Sequence, residues 1–260
     1  VTADDADIEQ AAGLLWNAEQ ARVAIPPLTE SFQGRLDVEA AWRIQSVNRS
    51  RALAAGKRIV GYKVGLTSAA MQEQMGVNEP DFGALLDSME LLDGVLHLDD
   101  FVQARVEAEI ALRLKADLGP GVTPDDVLAA TEAALPSLEI IDSRIRDWKL
   151  SLIDTVADNA SSGAFIIGAP APGPIPELGD VAVSVRINGV ERATGLGAAA
   201  LGHPAAAAAW LSNRLNDFGI EFPAGSVVLT GSLHASLPVV AGDSVDADFG
   251  AFGSVHLDVR

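Results

Sequence analysis

Apolar residues recur at helical spacing near the start of the chain. Ile8, Ala11, Ala12, Leu15 and Trp16 fall on one side of a segment from Asp4 to about Ala24, which Pro26 and Pro27 stop. A second helix is predicted from about Asp37, with Val38, Ala41, Trp42, Gln45 and Val47 around a stripe that faces a neighbour, and Gly56 ending it. The pattern then changes. IVGYKVGL is a β-prone run rich in glycine, MQEQMG reads as a short helix, and NEPDFG supplies turn chemistry. From Phe101 to Leu114 the period drops to two. Val106, Ala108, Ile110 and Leu112 take one face of a strand, and Glu107, Glu109, Ala111 and Arg113 take the other.

Thr123 followed by Pro124, Asp125 and Asp126 is an N-cap signature, and predicts a helix through Ala134 that Pro136 ends. SLEIIDSRI is strand-like. DWKLSLIDTVADNASSGAFIIG combines a short helix, a polar loop and another strand, and APAPGPIP is a connector. Asn188-Gly189 between alternating flanks predicts a hairpin. The alanine-rich AAAAAWLSNRLNDFG after Pro204 is a helix whose small side chains permit close backbone approach. Strands in SVVLTGSL, LPVVAGDSVDADF and SVHLDV close the chain. With no internal repeat and no regular βαβ alternation, the expected class is α+β. A small N-terminal helical or α/β region over 1–75 precedes a β-rich catalytic domain over 76–260.

Charge and composition then narrow the function. With 36 acidic against 18 basic side chains, the formal charge of −18 repels phosphate backbones and anionic lipid. An aromatic content of 5% argues against stacking platforms for bases, so nucleic acid is not an expected partner. The chain has no cysteine, which removes disulfides and thiol chemistry. Its start is acidic, and no apolar run reaches the roughly 18 residues that spanning hydrocarbon needs. The expectation is a soluble cytoplasmic protein without a membrane partner.

Glu107 and Glu109 are the most informative pair, because a two-residue separation in a strand aims both carboxylates to one side, about 6.5–7 Å apart. Glu139, in a second strand, would complete an oxygen-rich set suited to Mg²⁺ or Mn²⁺ if the strands are neighbours. Two acidic residues on the wet face of an edge strand would give the same pattern. Lys63 sits in an apolar, glycine-flanked run, either as an ion-paired structural lysine or as a poised group for an anionic substrate. Asp81 is a loop carboxylate that can move a proton or simply cap backbone amides. DTVADNASSG reads as a capping loop, and without a GxSxG elbow its serines do not suggest a serine hydrolase. His97, His203, His234 and His256 lack zinc-site spacing; only His234, after TGSL, is a candidate to face a pocket. GLGAAALG lacks the context of a dinucleotide fingerprint.

Taken in order, GYKVGLTS, PDFGALL, RVEAEIALRL, LEIIDSRIRDWK, DTVADNASSG, GLGAAALG, AWLSNRL and LTGSL resemble the 2-hydroxypenta-2,4-dienoate hydratase and 4-oxalocrotonate decarboxylase family of the fumarylacetoacetate hydrolase superfamily. The resemblance runs over about residues 60–260. It implies a mixed β-roll or barrel-like core and a homo-oligomer built from pentameric rings, as a pentamer or decamer. Association with a pathway decarboxylase or aldolase in meta-cleavage degradation of aromatic or steroid-derived compounds is also implied. Glu107, Glu109 and Glu139 fall on the family's metal carboxylates, with Mg²⁺ or Mn²⁺ as the cofactor. Lys63 and Asp81 fall on its catalytic lysine and acidic residue, and Ser161 and Thr230 on positions near the substrate. His234 stands where many relatives carry a small residue. The implied reaction adds water at C4 of a small 2-hydroxy-dienoate, taken as its 2-oxo-enoate tautomer, and yields a 4-hydroxy-2-oxo acid. A 4-oxalocrotonate-type decarboxylase is the alternative on the same residues. An inactive structural partner is less compatible with the retained acidic set.

Overall fold

Asp4 and Asp37 each accept a hydrogen bond from the backbone N–H three residues on, at 2.9 and 2.8 Å, and so start the two long helices. In the computed structural model, which describes residues 3–68, 72, 79–170 and 173–260, these are α1 (Asp5–Ala21) and α3 (Val38–Ala54), with a single turn, α2 (Leu28–Ser31), between them. Ile8, Ala11, Ala12 and Leu15 of α1 pack with Ala41 and Ile44 of α3, Leu28 and Phe32, and close on Ile145 and Val156 from the body of the molecule. Trp42 stacks on Phe82 at 4.4 Å between ring centroids, and the buried Gln45 donates to the carbonyls of Phe82 and Val156 at 2.9 and 3.0 Å. The helices therefore brace one side of the sheet.

Further α-helices among the described residues are α4 (Pro124–Ala130), α5 (Leu152–Ala157) and α6 (Pro204–Asp217). The strands are β1 (Ile59–Gly65), β2 (Asp81–Leu86), β3 (Val95–Leu96), β4 (Arg105–Leu114), β5 (Thr131–Ile141), β6 (Ser162–Ile167), β7 (Ala182–Ile187), β8 (Val190–Leu196), β9 (Val227–Leu229), β10 (Leu237–Pro238), β11 (Ser244–Asp248) and β12 (Ser254–Val259). One sheet runs β2-β1-β9-β4-β5-β6, with β10 also pairing with β4; the other runs β3-β12-β11-β7-β8. Both are mixed: β1 with β9 and β3 with β12 are parallel, and the remaining pairs are antiparallel. The main core fills between them, joining Val106, Ala108, Ile110 and Leu112 of β4 to Val185, Val245 and Leu257 of the second sheet and to the alanines of α6. The α+β expectation matches this architecture.

Three expectations change. The helix after Thr123 stops at Ala130, and Thr131 begins a strand that carries Pro136 inside it. Pairing with β4 along β5 overrides the local helix preference of the alanines, and Pro136 causes no break because its backbone polar groups face away from β4, its carbonyl accepting from Gly168 N–H at 2.8 Å just past β6. Asp81 lies not in a turn but at the start of β2, fully buried. β4 is no wet edge, since it runs between β9 and β5. β1 falls inside the 1–75 segment yet hydrogen-bonds into the main sheet, and MQEQMG, apart from Gln72, lies outside the described residues.

After α5 the backbone takes an unusual path. Asn159, Ala160 and Ser161 are consecutive left-handed residues, with φ of 54°, 50° and 53°, a conformation that non-glycine residues hold only when their surroundings over-determine it. Asn159 clamps both backbone groups of Ala84, and Asp142 N–H donates to the Ser161 carbonyl. The buried Arg144 pairs with the Asp158 carboxylate and donates to the carbonyls of Asp142, Asp158 and Ser162. Arg144→Met, which strands a buried carboxylate, is expected to cost about 3–5 kcal/mol. Thermal unfolding should register a Tm lower by on the order of 10 °C, partly restored by adding Asp158→Asn; a wild-type Tm in the single variant would refute this role.

Candidate active site

The register of β4 against β5 places Glu107 directly opposite Glu139, and the pleat puts Glu109 on the same face as Glu107. One carboxylate oxygen from each of the three lies within 4.8 Å of the others. Glu109 and Glu139 are buried, Glu107 half so. Glu109 Oε2 accepts from Gly231 N–H at 2.8 Å, at a glycine with φ of 108° whose Cβ would come within 2.4 Å of Thr67. Both Glu139 oxygens lack a hydrogen bond, although Oε1 lies 3.2 Å from Lys63 Nζ.

Lys63 reaches this cluster from β1. Its ammonium donates to the Ala160 carbonyl at 2.9 Å, which the left-handed turn presents to it. Asp81 is paired with Gly65 in the neighbouring strand, and a Cβ at Gly65 would come 2.1 Å from Asp81 Oδ1 and 3.5 Å from Lys63 Nζ. Only glycine leaves that carboxylate its place. Thr155 donates to Asp81 Oδ2 at 2.9 Å, whereas Oδ1 has no hydrogen-bond partner.

Burial dominates the electrostatics. It pushes Glu107 up to about 7, helped by the neighbouring Glu139 charge and opposed by Lys63 and Arg105. Burial also raises Glu109 well above the ordinary carboxylate range, with Glu139 and Glu107 adding to it. Glu139 and Asp81 are raised by the same desolvation, against the pull of Lys63. For Lys63 desolvation acts downward, but the carboxylates of Glu139, Asp81, Glu107 and Glu109 outweigh it and hold the ammonium charged.

Lys63, Asp81 and Glu107 border a cavity of about 600 Å³, whose walls also include Ser161, Arg105, Trp148 and His234, with Glu109 and Glu139 buried behind it. Ser161 is buried and its Oγ has no partner. Thr230, expected near the substrate, is not on the cavity wall: it is fully buried, and its hydroxyl donates to the Ile110 carbonyl at 2.7 Å, so it joins β9 to β4 instead. Sequence reasoning assigned no role to Thr155 or Arg105. Thr155 lay in the polar DTVADNASSG block without any feature to set it apart. Arg105 did carry a signal, because it precedes Glu107 by two and shares its strand face. Its guanidinium stacks 5.8 Å from the Trp148 ring centroid and donates to Ser236 Oγ and O, both at 2.8 Å.

The family model "Fumarylacetoacetate (FAA) hydrolase C-terminal" matches residues 63–260. The chain belongs to the fumarylacetoacetate hydrolase family. Within that family it is 44% identical over 255 residues to a 2-hydroxyhexa-2,4-dienoate hydratase of Comamonas testosteroni, covering 96% of each chain. It is 47% identical over 210 residues to a 2-hydroxypent-2,4-dienoate hydratase of Pseudomonas putida, covering 79% of this chain and 94% of that one. Among solved structures, 4-oxalocrotonate decarboxylase from Pseudomonas putida G7, complexed with magnesium and adipate, superposes with a TM-score of 0.94 at 37% identity, covering 100% of this chain and 99% of that one. The curled mixed sheets are thus the fumarylacetoacetate hydrolase fold.

The residues themselves fit a hard divalent cation. The donors are all carboxylate oxygens, the two of Glu139 without a hydrogen bond, and four carboxylates against one ammonium leave a formal −4 + 1 = −3 when all are ionised. Raised folded-state values mean that these glutamates favour folding below the ordinary value of 4.5 and lose that contribution as pH rises, for Glu107 through about 7. A bound divalent cation takes over from the protons. The Tm gain from saturating Mn²⁺ is therefore expected to be larger at pH 8 than at pH 5.5 and to vanish in Glu139→Gln; equal gains at both pH values would contradict it.

Proposed function

We propose that the chain is a divalent-cation-dependent hydratase that adds water to 2-hydroxypenta-2,4-dienoate or a close homologue and releases a 4-hydroxy-2-oxo acid. The observation that carries this reading is the cluster of three glutamates, with Lys63 beside Glu139, that meets the cavity at Glu107, Lys63 and Asp81. The hydratase names of relatives aligned over most of the chain support it. The same names favour a place in aromatic-compound degradation, for which we propose a cytoplasmic homo-oligomer.

In this reading Glu107, Glu109 and Glu139 would hold Mg²⁺ or Mn²⁺, which when bound supplies Lewis-acid polarisation of a 2-oxo acid. Lys63, fixed by Ala160 and Glu139, has a third N–H for the substrate carboxylate and assists ketonisation. Ser161 Oγ offers a further hydrogen bond to that carboxylate. Asp81, steadied at Oδ2 by Thr155, has Oδ1 available to take a proton from the water that adds at C4 and to return one at C3. Its raised pKa suits a group that both accepts and gives up a proton.

Arg105 supports a second reading, the 4-oxalocrotonate-type decarboxylase, because a guanidinium on the cavity wall is the kind of group a second substrate carboxylate needs. Steady-state assays with Mg²⁺ or Mn²⁺ separate the two. Hydration of the monoacid is expected, and CO₂ release from the diacid without hydration of the monoacid would overturn the choice. Lys63→Ala and Asp81→Ala should each lower kcat by at least about 100-fold; unchanged turnover in both would defeat their assigned roles.

A further inference from the structure

β9 and β10 both pair with β4, but the run between them does not match. Leu229 pairs with Ala111 and Leu237 with Val106, so the chain advances eight residues on one side against five on the other. The surplus bulges out beside Glu107 and Glu109, a placement bulges commonly take next to functional sites. Thr230 N–H still reaches the Ile110 carbonyl at 3.3 Å and Leu233 N–H the Ala108 carbonyl at 3.0 Å, whereas Gly231 N–H turns to the Glu109 carboxylate. The N–H of Ala108, the fully buried residue between the two glutamates, goes to a side chain here and not to a backbone carbonyl. The imidazole of His234 takes it, with Nε2 at 2.9 Å.

The ring's other nitrogen, Nδ1, lies 2.8 Å from the Ala235 carbonyl. Only one neutral tautomer satisfies both contacts, with hydrogen on Nδ1 and the lone pair on Nε2. The segment is anchored on either side of the ring: Ser232 Oγ donates to the His234 carbonyl at 2.6 Å, and Arg105 holds Ser236 through two hydrogen bonds.

We propose that His234 is a positioning residue of the glutamate site: its neutral ring stands in for the missing ladder carbonyl, fixes the Ala108 peptide and thereby the spacing of Glu107 and Glu109, and takes no part in proton transfer. The inference rests on those glutamates being cation ligands. Although the ring borders the cavity, both of its nitrogens are committed to backbone, which leaves no lone pair or N–H for a substrate. Removing the acceptor would leave a buried N–H unsatisfied, and the strand would shift to relieve it at the point where the ligands are mounted.

His234→Gln keeps an acceptor at about the reach of Nε2, and His234→Leu keeps bulk without one. Mn²⁺ affinity by calorimetry, Ala108 amide exchange by NMR in metal-free protein, and the pH profile of kcat would be compared. The Leu variant is expected to bind Mn²⁺ about 10–100-fold more weakly and to exchange Ala108 faster. The Gln variant should stay close to wild type in both and keep both limbs of the profile. Wild-type affinity in the Leu variant, a Gln variant as impaired as the Leu variant, or a limb lost from the Gln profile would each overturn the assignment. Wild-type protein that takes up no Mn²⁺ would overturn the cation reading as well, which distinguishes the two failures.

Discussion

Four carboxylates and one ammonium share a space from which water is largely excluded, and the surrounding structure depends on how that imbalance is managed. Desolvation drives all four carboxylates toward their protonated forms, while their combined field keeps Lys63 charged in a place where burial alone would strip its proton. The ammonium lies 3.2 Å from Glu139 and also touches a backbone carbonyl, so one charge cannot neutralise three glutamates at once. Protons or a bound cation can offset such a cluster, and a cation does so while leaving the carboxylates ionised.

The fold divides the work of building this site. Regular strands carry the charges, because a ladder fixes both the facing of Glu107 and Glu109 and the position of Glu139 opposite them. Irregular backbone supplies the neutral contacts: the left-handed turn presents the Ala160 carbonyl and Ser161 hydroxyl, and the bulge presents Gly231 N–H. Neither irregular segment is stable on local grounds. The turn is held by Arg144 and Asn159, and the bulge by Arg105, Ser232 and His234, so each is tied down by side chains from elsewhere in the fold or from within the segment itself. Strain placed next to reactive groups is thereby offset a few residues away.

Much of this was legible in the sequence, for definite reasons. Period-two alternation located β4 and set the facing of its glutamates, helical apolar spacing with proline and glycine stops marked the two long helices, and Asn188-Gly189 marked the hairpin of β7 and β8. What failed was information carried by partners rather than by local pattern. Alanines near 131–134 look helical until β4 pairs with them, and Asp81 looks like a turn residue until β1 lies beside it. Adjacency of Glu139 to the pair on β4 depended on a strand register that no single segment encodes. The direction of the Thr230 hydroxyl was not legible either, because a motif position says nothing of which way it turns; it bonds back to Ile110. Thr155 and the ladder role of His234 were invisible, since each acts on a residue more than 70 positions away in sequence.

The carboxylate cluster by itself cannot choose a reaction, because a site that activates a 2-oxo acid serves hydration and decarboxylation equally, and folds host functions through their sites. Discrimination then falls to the cavity wall beyond the cluster. There Arg105 follows the same strand face two residues before Glu107, roughly 7 Å along β4, which is about the span of a six-carbon diacid. A neutral tail would make no demand on that guanidinium, which is bound to Ser236 and stacked on Trp148; a second carboxylate would have to compete with those contacts. Because Arg105 already satisfies two of its donors internally, its field is partly spent on the wall it holds together. A neutral tail gives up nothing by leaving it there, and on that ground the wall is matched better to the monoacid.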